Sequence, residues 1–395
     1  RPPAERKAAG PPAPRPGPDG MGKRKGNKRR GDPHVGDSIC YVQVLGLGTD
    51  TGDCPPSVLL FFDHQRYLFN AGEGFQRYCV EHGVKMARLD SVLLTRMSTA
   101  TAAGLSGMLL SMTEGPQGES LMGGAASMDI YSPRGLSKFM YGLGTYIGMR
   151  GLDLKLVEFG PGGLGPFSNY DRDRKGPPVP EGAPLVKNGL VTITPTILQA
   201  AGAPGAGGGG NPAAKRAKLE GDEGPVACFV CKLPPVRGKF HPERAQALQV
   251  PRGPAYAQLA RGEPVTLEDG RTIAPEQVLD PASPGPVVAV VDCPAPCYVK
   301  ALAANAELRA IAAREGERHD AAACIVHLSP PEVAASPEYA TFLEQFGPET
   351  QHVFANAREC TKAPILLSSA TLQARLNALQ AEMFPDHAVW EAGEA

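Results

Sequence analysis

Short apolar runs, each closed by glycine or a polar break, set the rhythm of the first part of the chain. Ile39–Leu45, Val58–Phe62, Arg66–Asn70 and Ser91–Thr95 are strand-length and rich in β-branched and aromatic residues, so they predict strands. Phe75–His82, Leu105–Met112 and Leu136–Tyr146 predict helices, with Asp129–Tyr131 a further short strand. Beyond them, Leu190–Ile197, Val226–Leu233, Val287–Val291, Cys324–Leu328 and Thr350–Ala355 predict strands. Lys300–Arg314, Pro337–Phe346 and Ala370–Glu382 predict helices. Runs such as V-V-A-V-V suit strands covered on both faces. Strands alternating with helices predict a layered α/β fold.

Val226–Leu233 and Val287–Val291 bracket a stretch of a different kind. Residues 234–286 show almost no apolar core signal, and so long a connection predicts a functional insertion. Inside it Pro242–Leu248 and Ala255–Ala260 predict short helices, and Pro251-Arg252-Gly253-Pro254 a turn. Val265-Thr266-Leu267 predicts a short strand, and Glu268-Asp269-Gly270-Arg271 a hairpin-type turn. Arg237, Lys239, Arg244, Arg252, Arg261 and Arg271 recur along the stretch. A two-stranded stalk with a small knob would present them to a phosphate backbone. Glu243, Glu263, Glu268 and Asp269 are interleaved with them, which leaves open the plainer reading of a solvated surface excursion.

The formal net charge of −1 over 395 residues gives no global basic field, so any nucleic-acid contact has to come from local patches. Glycine and proline are in excess, at 47 and 40 residues. They concentrate in Arg1–Val35, Gly160–Pro184 and Ala200–Gly224, where no core signal exists. Arg1–Val35 carries the cationic run Lys23–Arg30, and the Ala200–Gly224 linker carries Lys215, Arg216 and Lys218. A compact basic group on an extended tether suits an importin groove, so the latter three predict a nuclear address. The Arg-rich, acid-poor start leaves the mitochondrion as a second address. The 9 cysteines lack framework spacing, which points to a reducing compartment. Cys228-x-x-Cys231 lies in a strand and has no second thiol pair at zinc-ribbon spacing. No apolar run reaches ~18 residues, so no membrane helix is predicted.

Gly46-x-Gly48-Thr49 follows the first strand, and Leu68-Phe69-Asn70-Ala71-Gly72-Glu73-Gly74 runs out of the third. Their order resembles the metallo-β-lactamase fold as the tRNase Z family carries it. Arg237-Gly238-Lys239-Phe240, Gly253-Pro254 and Gly262-x-x-Val265-Thr266-Leu267-Glu268-Asp269-Gly270-Arg271 resemble that family's arm. The resemblance implies an α/β, metallo-β-lactamase-like αββα sandwich with a projecting flexible arm. It implies an endonuclease that removes 3′ trailers from precursor tRNA, with the arm clamping the folded tRNA. It also implies a His-x-His-x-Asp-His zinc cluster after the fourth strand. Here that stretch reads Arg96-Met97-Ser98-Thr99-Ala100-Thr101, and a guanidinium cannot ligate a cation. Arg96, Ser98, Ala100 and Thr101 are therefore degenerate ligand positions. Asn70 replaces the usual Asp, and Asp292 falls where a bridging Asp would be, without evident partners. His327 and His352, at strand ends, read as core or surface histidines.

An arm retained beside an erased metal site resembles the amino-terminal half of long-form tRNase Z. This implies a substrate-binding, non-catalytic half that partners precursor tRNA and holds no catalytic residue, metal or cofactor of its own. The zinc would belong to a separate carboxy-terminal catalytic half. A free-standing RNA-binding pseudoenzyme or scaffold is the alternative, and a subunit of another RNA-processing complex a third reading. The expected organisation is a basic tail over 1–38, the first part of the sandwich over 39–199 and a linker over 200–225. The arm with its flanking strands follows over 226–292, then the second part of the sandwich over 293–386. A tail over 387–395 ends a chain expected to be truncated.

Overall fold

Two sheets stack face to face because most of their strands are apolar on both sides. The first sheet orders β1 (Cys40–Leu45), β2 (Ser57–Phe62), β3 (Arg66–Phe69), β4 (Ser91–Leu93), β5 (Ala126–Pro133), β6 (Leu152–Phe159) and β7 (Gly165–Phe167) side by side in chain order. The second holds β8 (Val186–Lys187), β9 (Thr192–Leu198), β10 (Val226–Lys232), β13 (Val287–Val291), β14 (Ala322–His327) and β15 (Gln351–Phe354). The two strands left over, β11 (Val265–Thr266) and β12 (Thr272–Ile273), pair with each other in the arm. The computed structural model describes residues 39–47, 54–113, 126–148, 152–167, 175–200, 224–236, 238–267, 270–312, 321–356, 358 and 364–385. The basic tail 1–38, Gly48-Thr49, most of the linker with Lys215, Arg216 and Lys218, Arg237, Glu268-Asp269 and the tail 387–395 lie outside the described residues.

Between the sheets lies one buried cluster. Val58, Leu60, Phe69 and Phe159 from the first sheet meet Phe229, Cys231, Val290 and Val326 from the second. Helices α1 (Phe75–Glu81), α2 (Thr99–Ala102), α3 (Gly104–Thr113) and α4 (Leu136–Leu143) come from the first half. Of these, α1, α3 and α4 cover the outer face of the first sheet through Phe75, Leu105, Met108 and Met140. The outer face of the second sheet is covered by helices that include Val299–Ala304 and Pro337–Leu343, through Leu302, Tyr339 and Phe342. This is an αββα sandwich. Cys228 packs into the outer cluster and Cys231 into the inter-sheet one, so pleating sends the two thiols to opposite faces.

Three expectations need correction. Residues 147–159 carried no expected element, yet β6 is a full strand there, paired with β5 along eight residues, with Asp153 and Lys155 left exposed on one face. Lys300–Arg314 is not one helix. It breaks at Asn305, whose backbone is extended and whose side chain accepts from Leu308 N to cap a second short helix. The arm does have a core: Ala245, Val250, Leu259, Val265, Ile273 and Val278 are buried together. Spread thinly along the sequence, these residues escaped a search for continuous runs.

The strands define two ends of the sandwich. β10 and β13 are antiparallel, with Lys232 opposite Val287. The arm leaves and re-enters there, whereas Asp292 follows the other end of β13.

Candidate nucleic-acid interface and converted metal pocket

The loop after β4 and the end of β13 meet at the end of the sandwich away from the arm. Asp292 is buried, and its Oδ2 accepts from Thr95 Oγ1 at 2.5 Å and Arg96 Nε at 3.1 Å. The expectation that Asp292 lacks partners is thus wrong. Its two partners follow one buried strand as it follows another, and that symmetry was the available sequence signal. Asn70 sits in the left-handed region at φ 62°, which Asn tolerates better than most residues. Its Oδ1 accepts from Thr95 N at 2.9 Å and lies 3.1 Å from Thr95 Oγ1, whose single proton faces Asp292. Thr95 O accepts from Ala227 N of the second sheet at 2.6 Å, so this polar cluster ties the two sheets together.

The other degenerate positions are used locally. Thr101 Oγ1 accepts from Ser98 N at 3.2 Å and donates to the Arg96 carbonyl at 2.5 Å, which fixes the start of α2. Ala100 offers no donor. Ala71 N donates to Thr101 O at 2.7 Å and Glu73 N to Thr99 O at 3.2 Å, clasping the two loops together. A dication needs several anionic or imidazole donors free to converge. This set supplies one carboxylate already bound to a guanidinium, with the Thr95 hydroxyl on that carboxylate, the Thr101 hydroxyl on the Arg96 carbonyl and the Ser98 hydroxyl against that of Thr101. The residues do not fit zinc, and no reaction step is assigned to them.

Beside this cluster, His327 is fully buried. Its Nδ1 lies 2.7 Å from Tyr339 Oη and its Nε2 2.9 Å from His352 Nδ1, while Ser329 Oγ lies 3.0 Å from Tyr339 Oη. Protons running in one direction along the chain satisfy every contact with both imidazoles neutral, either from Ser329 through Tyr339 and His327 to His352 or in reverse. Burial, and then the neighbouring His352, push the His327 imidazole down to about 3. His327 is a core histidine, and His352 is half-buried at the edge of the same cluster.

The arm is a stalk and a knob. The stalk pairs Val236 with Ser283 and Phe240 with Leu279. Between them Gly238 passes so close to the Asp280 carbonyl that a Cβ would collide with it. The knob holds α5 (Pro242–Ala247) and α6 (Pro254–Ala260) with the β11–β12 hairpin. Gly253 caps α6 at φ 129°, a conformation that a side chain would strain, and Pro254 opens the helix.

Lys239, Arg244, Arg252, Arg261 and Arg271 are all exposed. Arg252 donates to Gln246 at 3.2 Å and Arg271 to Gln249 at 3.4 Å, so two guanidiniums flank one turn of the knob beside Gly253 and Pro254. Arg244 is partly neutralised by Asp280 at 3.4 Å. The hydrogen bond from His241 to Asp280, at 2.7 Å, holds that carboxyl below its usual range. Against Arg237, Lys239, Arg244, Arg252, Arg261 and Arg271 stand Glu243, Glu263, Glu268, Asp269, Glu276 and Asp280, a formal balance of 6 − 6 = 0. Anion binding by the arm therefore depends on where its cations stand and not on net charge.

Comparison with known proteins adds three findings. Residues 45–104 match the tRNase Z endonuclease family model. The chain is 33% identical over 382 residues to the mitochondrial tRNase Z TRZ4 of Arabidopsis thaliana, covering 94% of this chain and 38% of that protein. The chain belongs to the tRNase Z family. It is also 30% identical to the rat zinc phosphodiesterase ELAC protein 2, covering 89% of this chain and 42% of that one. It thus spans about two fifths of the length of these tRNase Z relatives. A long-form RNase Z from yeast shares the fold, with a TM-score of 0.52 at 14% identity, over 87% of this chain and 40% of that one.

The pocket yields two predictions. Arg96→Ala takes the guanidinium away from the buried Asp292 carboxylate and should cost about 3 kcal/mol in urea unfolding, and adding Asp292→Asn should recover most of it. Equal stability of the Arg96→Ala chain and the native one would refute the pairing. His327 supplies the second. Its folded value lies below the ordinary histidine value of about 6.5, so the unfolded chain takes up a proton first as pH falls. Its stabilising contribution is present above about pH 6.5 and is lost toward pH 3, by up to about 1.4 kcal/mol per pH unit. The native chain should lose more stability between pH 6 and pH 4 than His327→Gln, and parallel curves would contradict this.

Proposed function

We propose that this chain is the substrate-binding, non-catalytic part of a tRNase Z that removes 3′ trailers from precursor tRNA. The observation that carries this reading is the placement of the arm. It leaves the sandwich at Lys232 and Val287, about 16 Å of strand from Asp292. An RNA held on the knob is therefore presented away from this chain's own pocket and toward a second domain. That second domain is the carboxy-terminal catalytic half, which holds the zinc that these pocket residues do not fit. The name zinc phosphodiesterase carried by the rat relative agrees with zinc in such a half. A free-standing RNA-binding pseudoenzyme remains the second reading, because the arm alone accounts for binding.

Precursor tRNA carrying a trailer should bind the 395-residue chain and stay uncut with zinc added. Removing Arg237–Pro284 should leave the sandwich's unfolding transition in place, since Val236 and Ser283 are neighbours, and should abolish tRNA binding. Arg252→Ala or Arg261→Ala should each lower the salt slope by about one. An armless chain with unchanged affinity and slope would make the arm a bystander. Trailer removal by the purified chain would overturn the non-catalytic reading.

The address of the chain is a further part of the proposal. The Arabidopsis relative is named mitochondrial, which supports that compartment. Lys215, Arg216 and Lys218 support nuclear entry through importin. Replacing all three with Ala in a fluorescent fusion should remove nuclear signal, and unchanged nuclear accumulation would discard them as the signal.

A further inference from the structure

β1 is an edge of the first sheet, and at the arm end its outer face carries a row of flat groups. Tyr41 stands opposite Phe61, and Phe61 opposite Arg66, in register across three strands. The Tyr41 and Phe61 rings stack with centroids 4.5 Å apart and planes within 14°. The Arg66 guanidinium lies over the Phe61 ring at 4.8 Å. Phe61 is anchored against the helix-side core, so the middle of the row is fixed. Strands lie about 4.8 Å apart, so the row repeats at nearly stacking distance and then stops at the sheet edge. Tyr41 is 43% exposed there.

We propose that this row is a stacking platform for a nucleobase in an unpaired stretch of RNA. A base is a flat π group of the right thickness to become the fourth layer, and stacking on Tyr accepts any base. The Arg66 cation at the far end favours electron-rich rings above it. At the same end of the sheet, but on its opposite face, Asn188 donates through Nδ2 to Gln65 and Tyr67 and lines a cleft with Lys232, Leu233, Pro234 and Pro235, where the arm departs. In the sequence, the cationic run Lys23–Arg30 is separated from β1 by nine residues. The arm would hold folded RNA by shape and the platform a strand without partners. The platform does not depend on the arm reading, because a chain whose arm binds nothing still presents the row.

The test uses the 395-residue chain at low salt and a short unstructured RNA with a central 2-aminopurine. Binding should quench the 2-aminopurine, as stacking does. Tyr41→Leu, which keeps the apolar cover and removes the ring, should weaken binding by about 5- to 100-fold and relieve the quenching. Tyr41→Trp should retain both, and removal of the arm should change neither. Binding without quenching would overturn the proposal, as would Tyr41→Leu within twofold of the native affinity. Self-association lost in Tyr41→Leu, with no RNA bound by the native chain, would assign the edge to protein pairing and would equally overturn it.

Discussion

A carboxylate buried at the end of a buried strand has to be balanced, and much of the polar interior answers to that requirement at Asp292. An isolated ionised group in a low-dielectric interior costs several kcal/mol even after relaxation. A metal ion would be one way to supply the positive charge, and here the supply is covalent. Arg96 brings a permanent cation on its own side chain, which needs no metal and cannot be titrated away in the physiological range. Thr95 hands the same carboxylate a hydroxyl proton and ties Asn70 and Ala227 into the arrangement. The cluster therefore joins the two sheets as well as balancing charge. A pocket held shut by a guanidinium gives rigidity and gives up Lewis acidity.

The second constraint is topological. Antiparallel pairing of β10 with β13 forces anything inserted between them to emerge at the end opposite Asp292. No loop rearrangement within residues 233–286 changes that, because Lys232 and Val287 are fixed by ladder bonds in the middle of a sheet. Whatever the arm touches is therefore held a full strand length from Asp292 and Arg96, and the two ends of the sandwich can change independently of one another.

The sequence made the sandwich readable because its central strands are continuous apolar runs. Val226–Lys232 and Val287–Val291 are buried along nearly their whole length, and five to seven apolar residues in a row are too short for a buried helix. β6 was hidden because L-D-L-K-L-V-E-F is partly polar. Its Glu158 is nonetheless buried, accepting from Gly135 N at 3.0 Å and Ser137 N at 2.7 Å at the start of α4, a use that no local pattern announces. The arm core was missed because its six buried residues are scattered among turns, so no window of the chain looks apolar. In the pocket, Arg96 is recognisable from sequence alone as a side chain that cannot ligate a cation. Its pairing with Asp292 bridges residues far apart in the chain, and only the meeting of the two strand ends brings it out.

The construction of the arm explains how a neutral segment can still present cations usefully. Its small core fixes α5, α6 and the hairpin relative to one another, so Arg252 and Arg271 keep a set spacing around one turn. Each donates to a glutamine amide oxygen, which orients the guanidinium. Arg244, by contrast, faces Asp280 and spends part of its field there. Among the described residues, the stalk below is held by two isolated bridges and a few loop hydrogen bonds, whereas the central strands of the sandwich pair continuously on both sides. Elements with few backbone bonds and little buried surface open at low free energy. Rigidity is thus concentrated in the knob, where charge spacing matters. Compliance is concentrated in the stalk, so the knob can tilt without disturbing the spacing of its own cations.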